Sequence, residues 1–107
     1  MESLSTFANV VELLQTRVFR IKTSVNIYYD LDGQVVAFNR SGELFFNLRY
    51  YVGWNQNFKD AIYNWYFIFC HELAHNEHGP HDEVHEHYLV SFAHLYLENL
   101  FALGKEF

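Results

Sequence analysis

Seven histidines fall in the 24 residues from His71 to His94, and none occurs before them. Inside that run stands Phe69-Cys70-His71-Glu72-Leu73-Ala74-His75, a His-Glu-x-x-His string, and Gly79-Pro80 follows shortly after it. On a helix, His71 and His75 sit one turn apart on one face, so both imidazoles can reach a single ion. Glu72 lies about 100° around from His71, off that pair yet close enough to contact water at the same ion. The string therefore calls for a helix, predicted over residues 58–78, that stops at Gly79-Pro80: glycine suits a left-handed cap and proline cannot continue the hydrogen-bond ladder. A catalytic zinc takes three protein ligands and keeps one position open. The third ligand has to come from beyond the break, where His81 ranks first, then His85 one turn into a following helix, then Glu86, with Glu98 a further carboxylate.

The remainder of the chain can be divided by periodicity. Residues 3–20 place Leu4, Phe7, Val11, Leu14 and Val18 at steps of three and four, with Val10 and Leu13 widening the stripe. This predicts an amphipathic helix capped at Ser3 or Ser5. Residues 25–51 switch to period two, with turns at Asp30-Leu31-Asp32-Gly33 and Asn39-Arg40-Ser41-Gly42, and read as a three-stranded antiparallel meander whose last strand runs from Leu44 to Tyr51. Asn57 followed by Asp60 marks the start of the second helix. Asp82 caps a third, striped by His85, Tyr88, Leu89, Phe92, Tyr96, Leu100 and Leu103, and residues 104–107 are expected to fray. The fold class is α+β in a single domain spanning residues 1–107.

Composition narrows the partners. Half of the residues are hydrophobic and 20% aromatic, enough for a core. The net charge is −6, and from His71 onward seven acids face one base, Lys105. That argues against nucleic-acid binding by this segment. Cys70 is the only cysteine, no apolar stretch reaches membrane length, and no secretory leader is seen; the expected compartment is intracellular, cytoplasmic or nuclear.

Each candidate residue also has a plainer reading. His71 and His75 could be half-buried helix histidines bonded to backbone or carboxylates, or could join His81 and His85 in a closed structural zinc site. Asp82 could orient a ligand imidazole or simply cap a helix. Tyr88 could donate to a developing oxyanion or serve as core. Cys70 reads as a buried inert thiol, the aromatic run Tyr63, Trp65, Tyr66, Phe67, Phe69 as core, and His78, His87 and His94 as surface residues.

The string His71-Glu72-Leu73-Ala74-His75-Asn76 with Gly79-Pro80-His81-Asp82 resembles the active-site motif of the WLM metallopeptidases, whose histidine spacing is shared with metzincins. The longer stretch from Val36-Ala37-Phe38-Asn39-Arg40 through residues 44–50 to His81-Asp82, His85-Glu86 and Tyr88 is similar to the C-terminal region of large fungal sacsin-like proteins, which also carry a heat-shock-protein-like ATPase domain. That likeness covers roughly residues 25–97 and implies a fragment or a relative of a larger polypeptide. A metzincin would have glycine where His78 stands, and a Met-turn, whereas Met1 is the only methionine. What the resemblance implies is a minimal zincin-like domain: backing helix, small antiparallel sheet, HExxH helix and C-terminal helix. Its expected activity is zinc-dependent peptide-bond hydrolysis, with Zn2+ held by His71, His75 and His81, Glu72 as general base to a zinc-activated water, and the strand from Leu44 to Tyr51 receiving a peptide or protein substrate. The alternative is a catalytically inactive, zincin-like interaction module of a chaperone-like protein.

Overall fold

The computed structural model describes residues 2–107. Helix α1 (Glu2–Leu13) runs directly into π-helical turns over Leu14–Phe19, which end at Arg20 in a left-handed conformation. The helix has already begun at Glu2, so Ser3 and Ser5 lie inside it instead of capping it. Phe7, Val10, Val11, Leu14 and Val18 are buried, while Leu4 at the outer end of the stripe is exposed.

Three strands follow: β1 (Val25–Tyr28), β2 (Ala37–Arg40) and β3 (Glu43–Asn47). The predicted meander is corrected here, because the order across the sheet is β1-β3-β2, with β1 parallel to β3 and only β2 antiparallel to it. The hairpin joining β2 to β3 is tight. Ser41 and Gly42 both have positive φ, as a two-residue turn matched to strand twist requires. The Tyr29–Val36 connection instead crosses the end of β3, and Asn47 holds it there. The Asn47 carboxamide is fully buried, donates to the Val35 carbonyl at 3.1 Å and accepts from the Asp30 and Arg49 amides at 3.3 and 3.1 Å.

Asn47 also ends the strand. By accepting from the Arg49 amide it caps α2 (Leu48–Trp54), so residues 48–51, expected to be extended, are helical. Helix α3 (Phe58–Glu77) starts as anticipated, at the Asn57 cap accepting from the Asp60 amide at 2.8 Å. It ends at His78, whose backbone is extended, and Gly79 does not adopt the left-handed cap. Asp82 caps α4 (Glu83–Leu95) by accepting from the amides of Val84 and His85. The predicted single C-terminal helix is interrupted at Tyr96, and α5 (Leu97–Gly104) follows directly, with Leu100 and Leu103 in the core. Gly104 is buried under Tyr63, with no room for a Cβ, and Phe107 lies on Phe58 at 4.9 Å between ring centroids, while residues 105–107 are exposed beyond the end of α5.

The core lies between α1, the inner face of the sheet and the buried side of α3. Trp65 meets Phe7 at 4.6 Å and Phe46 at 5.9 Å, and Phe69 meets Phe19 at 4.5 Å and Phe46 at 5.3 Å. These rings fix the rotation of α3 and turn His71 and His75 away from the core. Among the described residues, no helix is long and apolar enough to cross a membrane.

Candidate metal centre

Packing of α3 exposes one end of its polar face beside the edge strand β2, leaving an open cleft of about 800 Å3 lined by Phe38, Asn39, His71, Glu72, His75 and His81, among others. His71 and His75 project from successive turns of the helix, their rings 4.9 Å apart. The extended backbone at His78 and the break at Gly79-Pro80 swing the chain back over the helix end. The Nε2 of His81 then lies 3.1 Å from that of His71 and 2.9 Å from that of His75. His85, from the first turn of α4, is buried against the same rings, 4.1 Å from His75 and 4.6 Å from His71 between centroids.

Four imidazoles thus come together, and two trios are possible ligand sets. His71, His75 and His85 have ligand atoms all within 4.8 Å of one another and could hold a metal ion. In the other trio, His81 is closer to both of its partners, at 3.1 and 2.9 Å between Nε2 atoms. The Nε2 of His85 lies 3.0 Å from the His71 carbonyl oxygen. A carbonyl only accepts, so this nitrogen carries the proton, and only Nδ1 of His85 keeps a lone pair. Four-coordinate zinc with Zn–N bonds of ~2.0–2.1 Å holds its nitrogens ~3.3 Å apart, and the two distances from His81 to His71 and His75 lie within a few tenths of an ångström of that spacing.

Electrostatics disfavour protonation of His71 and His75. Burial, followed by the charges His85, His75 and His81 would carry, lowers the pKa of His71 to about 4, and burial likewise lowers that of His75. Neutral imidazoles are what a metal ion needs. Glu72 is 4% exposed, its Oε2 3.9 Å from the His71 Nε2, and burial pushes its carboxyl up to about 7. A carboxylate with that pKa is suited to exchanging protons near neutrality.

The other candidates take plainer positions. Glu86 and Glu98 are exposed, and neither joins the histidine cluster. Asp82 caps α4 and accepts from the His78 imidazole at 2.9 Å, so it orients no member of the histidine cluster; the His78 bond is the main reason its carboxyl is held below the usual range. Tyr88 is half-buried and lines neither the cleft nor the hollow beside it. Cys70 is buried and its thiol pushed up to about 12 by burial, which leaves it protonated and unreactive. His87 and His94 are exposed, and His78 is half-buried in its pair with Asp82.

Two features were not found from sequence. Asn39 ties the edge strand to α3: its amide donates to the Glu72 carbonyl at 3.0 Å and to the Asn76 side chain at 2.6 Å, and its Oδ1 accepts from the Gly42 amide at 3.1 Å. Only the turn signal at Asn39 was readable, since its partners on α3 are more than thirty residues away. The second is the edge itself. β3, the strand expected to receive substrate, is paired on both sides, and β2 is the strand with an open edge on the cleft. Compared with known protein families, curated proteins and solved structures, the chain has no significant match in any of the three.

Proposed function

We propose that the protein is a zinc-dependent metallopeptidase, with His71, His75 and His81 holding the ion and Glu72 acting as general base. The observation that carries this reading is the convergence of three imidazole Nε2 atoms, 2.9 and 3.1 Å from one another through His81, beside a buried carboxylate in an open cleft. When bound, zinc supplies Lewis acidity, which acidifies water and polarises a carbonyl at its open position. Glu72 takes one proton from the attacking water as the new C–O bond forms, then gives that proton to the leaving nitrogen as the C–N bond breaks. Its burial excludes competing solvent and keeps its proton affinity near neutral. β2 offers its free edge to an extended peptide by strand addition, and Asn39 holds that edge in register with α3. His85, proton on Nε2 and bonded to the His71 carbonyl, braces the ligand helix from behind.

The test is Glu72→Gln, assayed with quenched peptide libraries against the wild type after purification without a metal-affinity column. One zinc per chain in both proteins, with hydrolysis by the wild type alone, is the expected result. A wild type that binds no zinc overturns the metal assignment. Zinc in both proteins with no cleavage by either supports the interaction module instead.

A further inference from the structure

His85 has no part in holding the ion in the reading above, yet its ring is placed like those of the ligands. The six distances between the ring centroids of His71, His75, His81 and His85 run only from 4.1 to 5.2 Å. Four points with near-equal separations stand at the corners of a tetrahedron. Four imidazoles bound tetrahedrally to zinc, with Zn–N bonds of ~2.0–2.1 Å, put their ring centres ~5.2 Å apart, so the cluster is a slightly compressed version of that arrangement.

The orientation of His85 agrees with its place. A histidine that binds a metal through one nitrogen commonly donates its other ring N–H to a carboxylate or a backbone carbonyl, which fixes the tautomer and the ring. In His85, Nε2 donates to the His71 carbonyl at 3.0 Å, and the lone pair is left on Nδ1. One ligand atom from each of His71, His75 and His85 lies within 4.8 Å of the other two.

Resting on the metallopeptidase reading, we propose that His85 is a fourth, displaceable zinc ligand through Nδ1, which closes the site in the resting protein and yields an open position only when it withdraws. Which of the four yields follows from what each would lose. The His81 Nε2 faces those of His71 and His75 at 3.1 and 2.9 Å, and one ring proton can serve only one of these contacts, so these three nitrogens gain most from an ion between them. His85 keeps its bond to the His71 carbonyl with or without the ion, so its release leaves no donor unpaired. The same bond keeps the ring beside the site, ready to close it again. The consequence is latency: the chain carries zinc shielded from water, and binding of a peptide in the cleft has to be coupled to the withdrawal of His85.

The experiment loads the chain, its histidine nitrogens isotopically labelled, with an NMR-active cadmium isotope. Cadmium–nitrogen coupling should appear at four rings, through Nε2 in His71, His75 and His81 and through Nδ1 in His85. Coupling to His71, His75 and His81 alone overturns the proposal and leaves the peptidase reading intact. With cobalt in place of zinc, the wild-type visible spectrum should stay constant from about pH 6 to 9, whereas His85→Ala should admit water to the fourth position and titrate with a midpoint of ~7. A wild-type spectrum that titrates as the variant does also overturns the proposal. His85→Phe, which keeps a ring in the buried space but offers no lone pair, replaces His85→Ala if the latter fails to fold. Zinc-saturated variant should cleave peptides with a kcat/KM raised on the order of 10-fold, the gain expected when an open form populated at ~10% becomes the only one. A variant that cleaves no faster than wild type overturns the latency. Four ligating rings with no cleavage by wild type or variant overturn the peptidase reading and retain His85 as the fourth ligand of a closed site.

Discussion

The cleft and the apolar hollow beside it share Val35, Ala37, His71 and Glu72 as a common wall, yet they are built in opposite ways. The histidine end draws its three closest nitrogens from a single stretch, residues 71–81, and needs only a helix and a break to bring them together. The apolar end gathers Trp54 from α2, Phe67 and Ile68 from α3, Leu89 from α4 and Val35 from the loop before β2. A site made from one segment survives modest shifts of its surroundings. A site made from four depends on how those elements pack. Substitutions at the first end should therefore act on metal and rate with little change of fold, and substitutions supporting the second should act on stability.

The largest effect that would test this contrast is on rate. On the proposed mechanism, Glu72→Gln should lower hydrolysis by ~100- to 10,000-fold while zinc content stays at one per chain, because general-base help is worth about that much and the carboxylate is not among the proposed ligands. Retained hydrolysis would show that another group serves as the base. Next comes the choice between trios. Loss of a supporting residue near a metal costs ~10- to 100-fold in affinity, and loss of a direct ligand should exceed that. Competition with a zinc chelator is expected to show a greater loss for His81→Ala than for His85→Ala; the reverse order would make His85 the third ligand through its Nδ1.

At the other end, Asn47→Ala removes a strand-end cap and leaves the Val35 carbonyl and Asp30 amide without their partner. Urea unfolding should show a loss of roughly 2–4 kcal/mol with zinc affinity little changed. A matching loss of zinc affinity would mean that the two ends are coupled through β2 after all. The smallest effect is a pH dependence in protein stripped of metal. The carboxyl of Glu72 is raised from 4.5 to about 7 by burial, so in the folded state it holds a proton that the unfolded chain has already released. Its contribution therefore becomes less favourable as pH rises from 4.5 to 7, and the penalty is complete above 7. Metal-free Glu72→Gln should consequently be more stable than metal-free wild type at pH 8, by on the order of 2–3 kcal/mol, and equal to it at pH 4. The depressed pKa of His71 works in the opposite sense, reducing stability as pH falls from 6.5 to about 4, and cancels in this comparison because both proteins carry it.

Most of the helical architecture was legible in the chain. Asn57 with Asp60, and Asp82 before Val84 and His85, are caps acting over two or three residues, and they start α3 and α4 where the sequence places them. The Ser41-Gly42 turn is equally local, and the hairpin it closes is present. The sheet order was not legible, because β1 had two strands available and period-two patterning does not distinguish between them. Asn47 decided it, through bonds to Asp30 and Val35 that lie 17 and 12 residues away. The same carboxamide turned residues 48–51 into helix against their strand-like composition. The break at Tyr96 was hidden by a stripe that continues at helical spacing through both α4 and α5.

The sequence by itself determined where the histidine helix starts and stops, that His71 and His75 share a face, and that a break follows them, because all of these are settled by backbone geometry within a few turns; which of His81, His85 and Glu86 comes back to the pair it left open. Tertiary structure decided that β2 is the sheet edge on the cleft, that Glu72 is buried while His71 and His75 are only half-buried, that His85 points a proton at the His71 carbonyl, and that an apolar hollow adjoins the site. Burial and edge exposure are properties of which surfaces meet. No residue carries that information until the segments distant from it in the chain have packed against it.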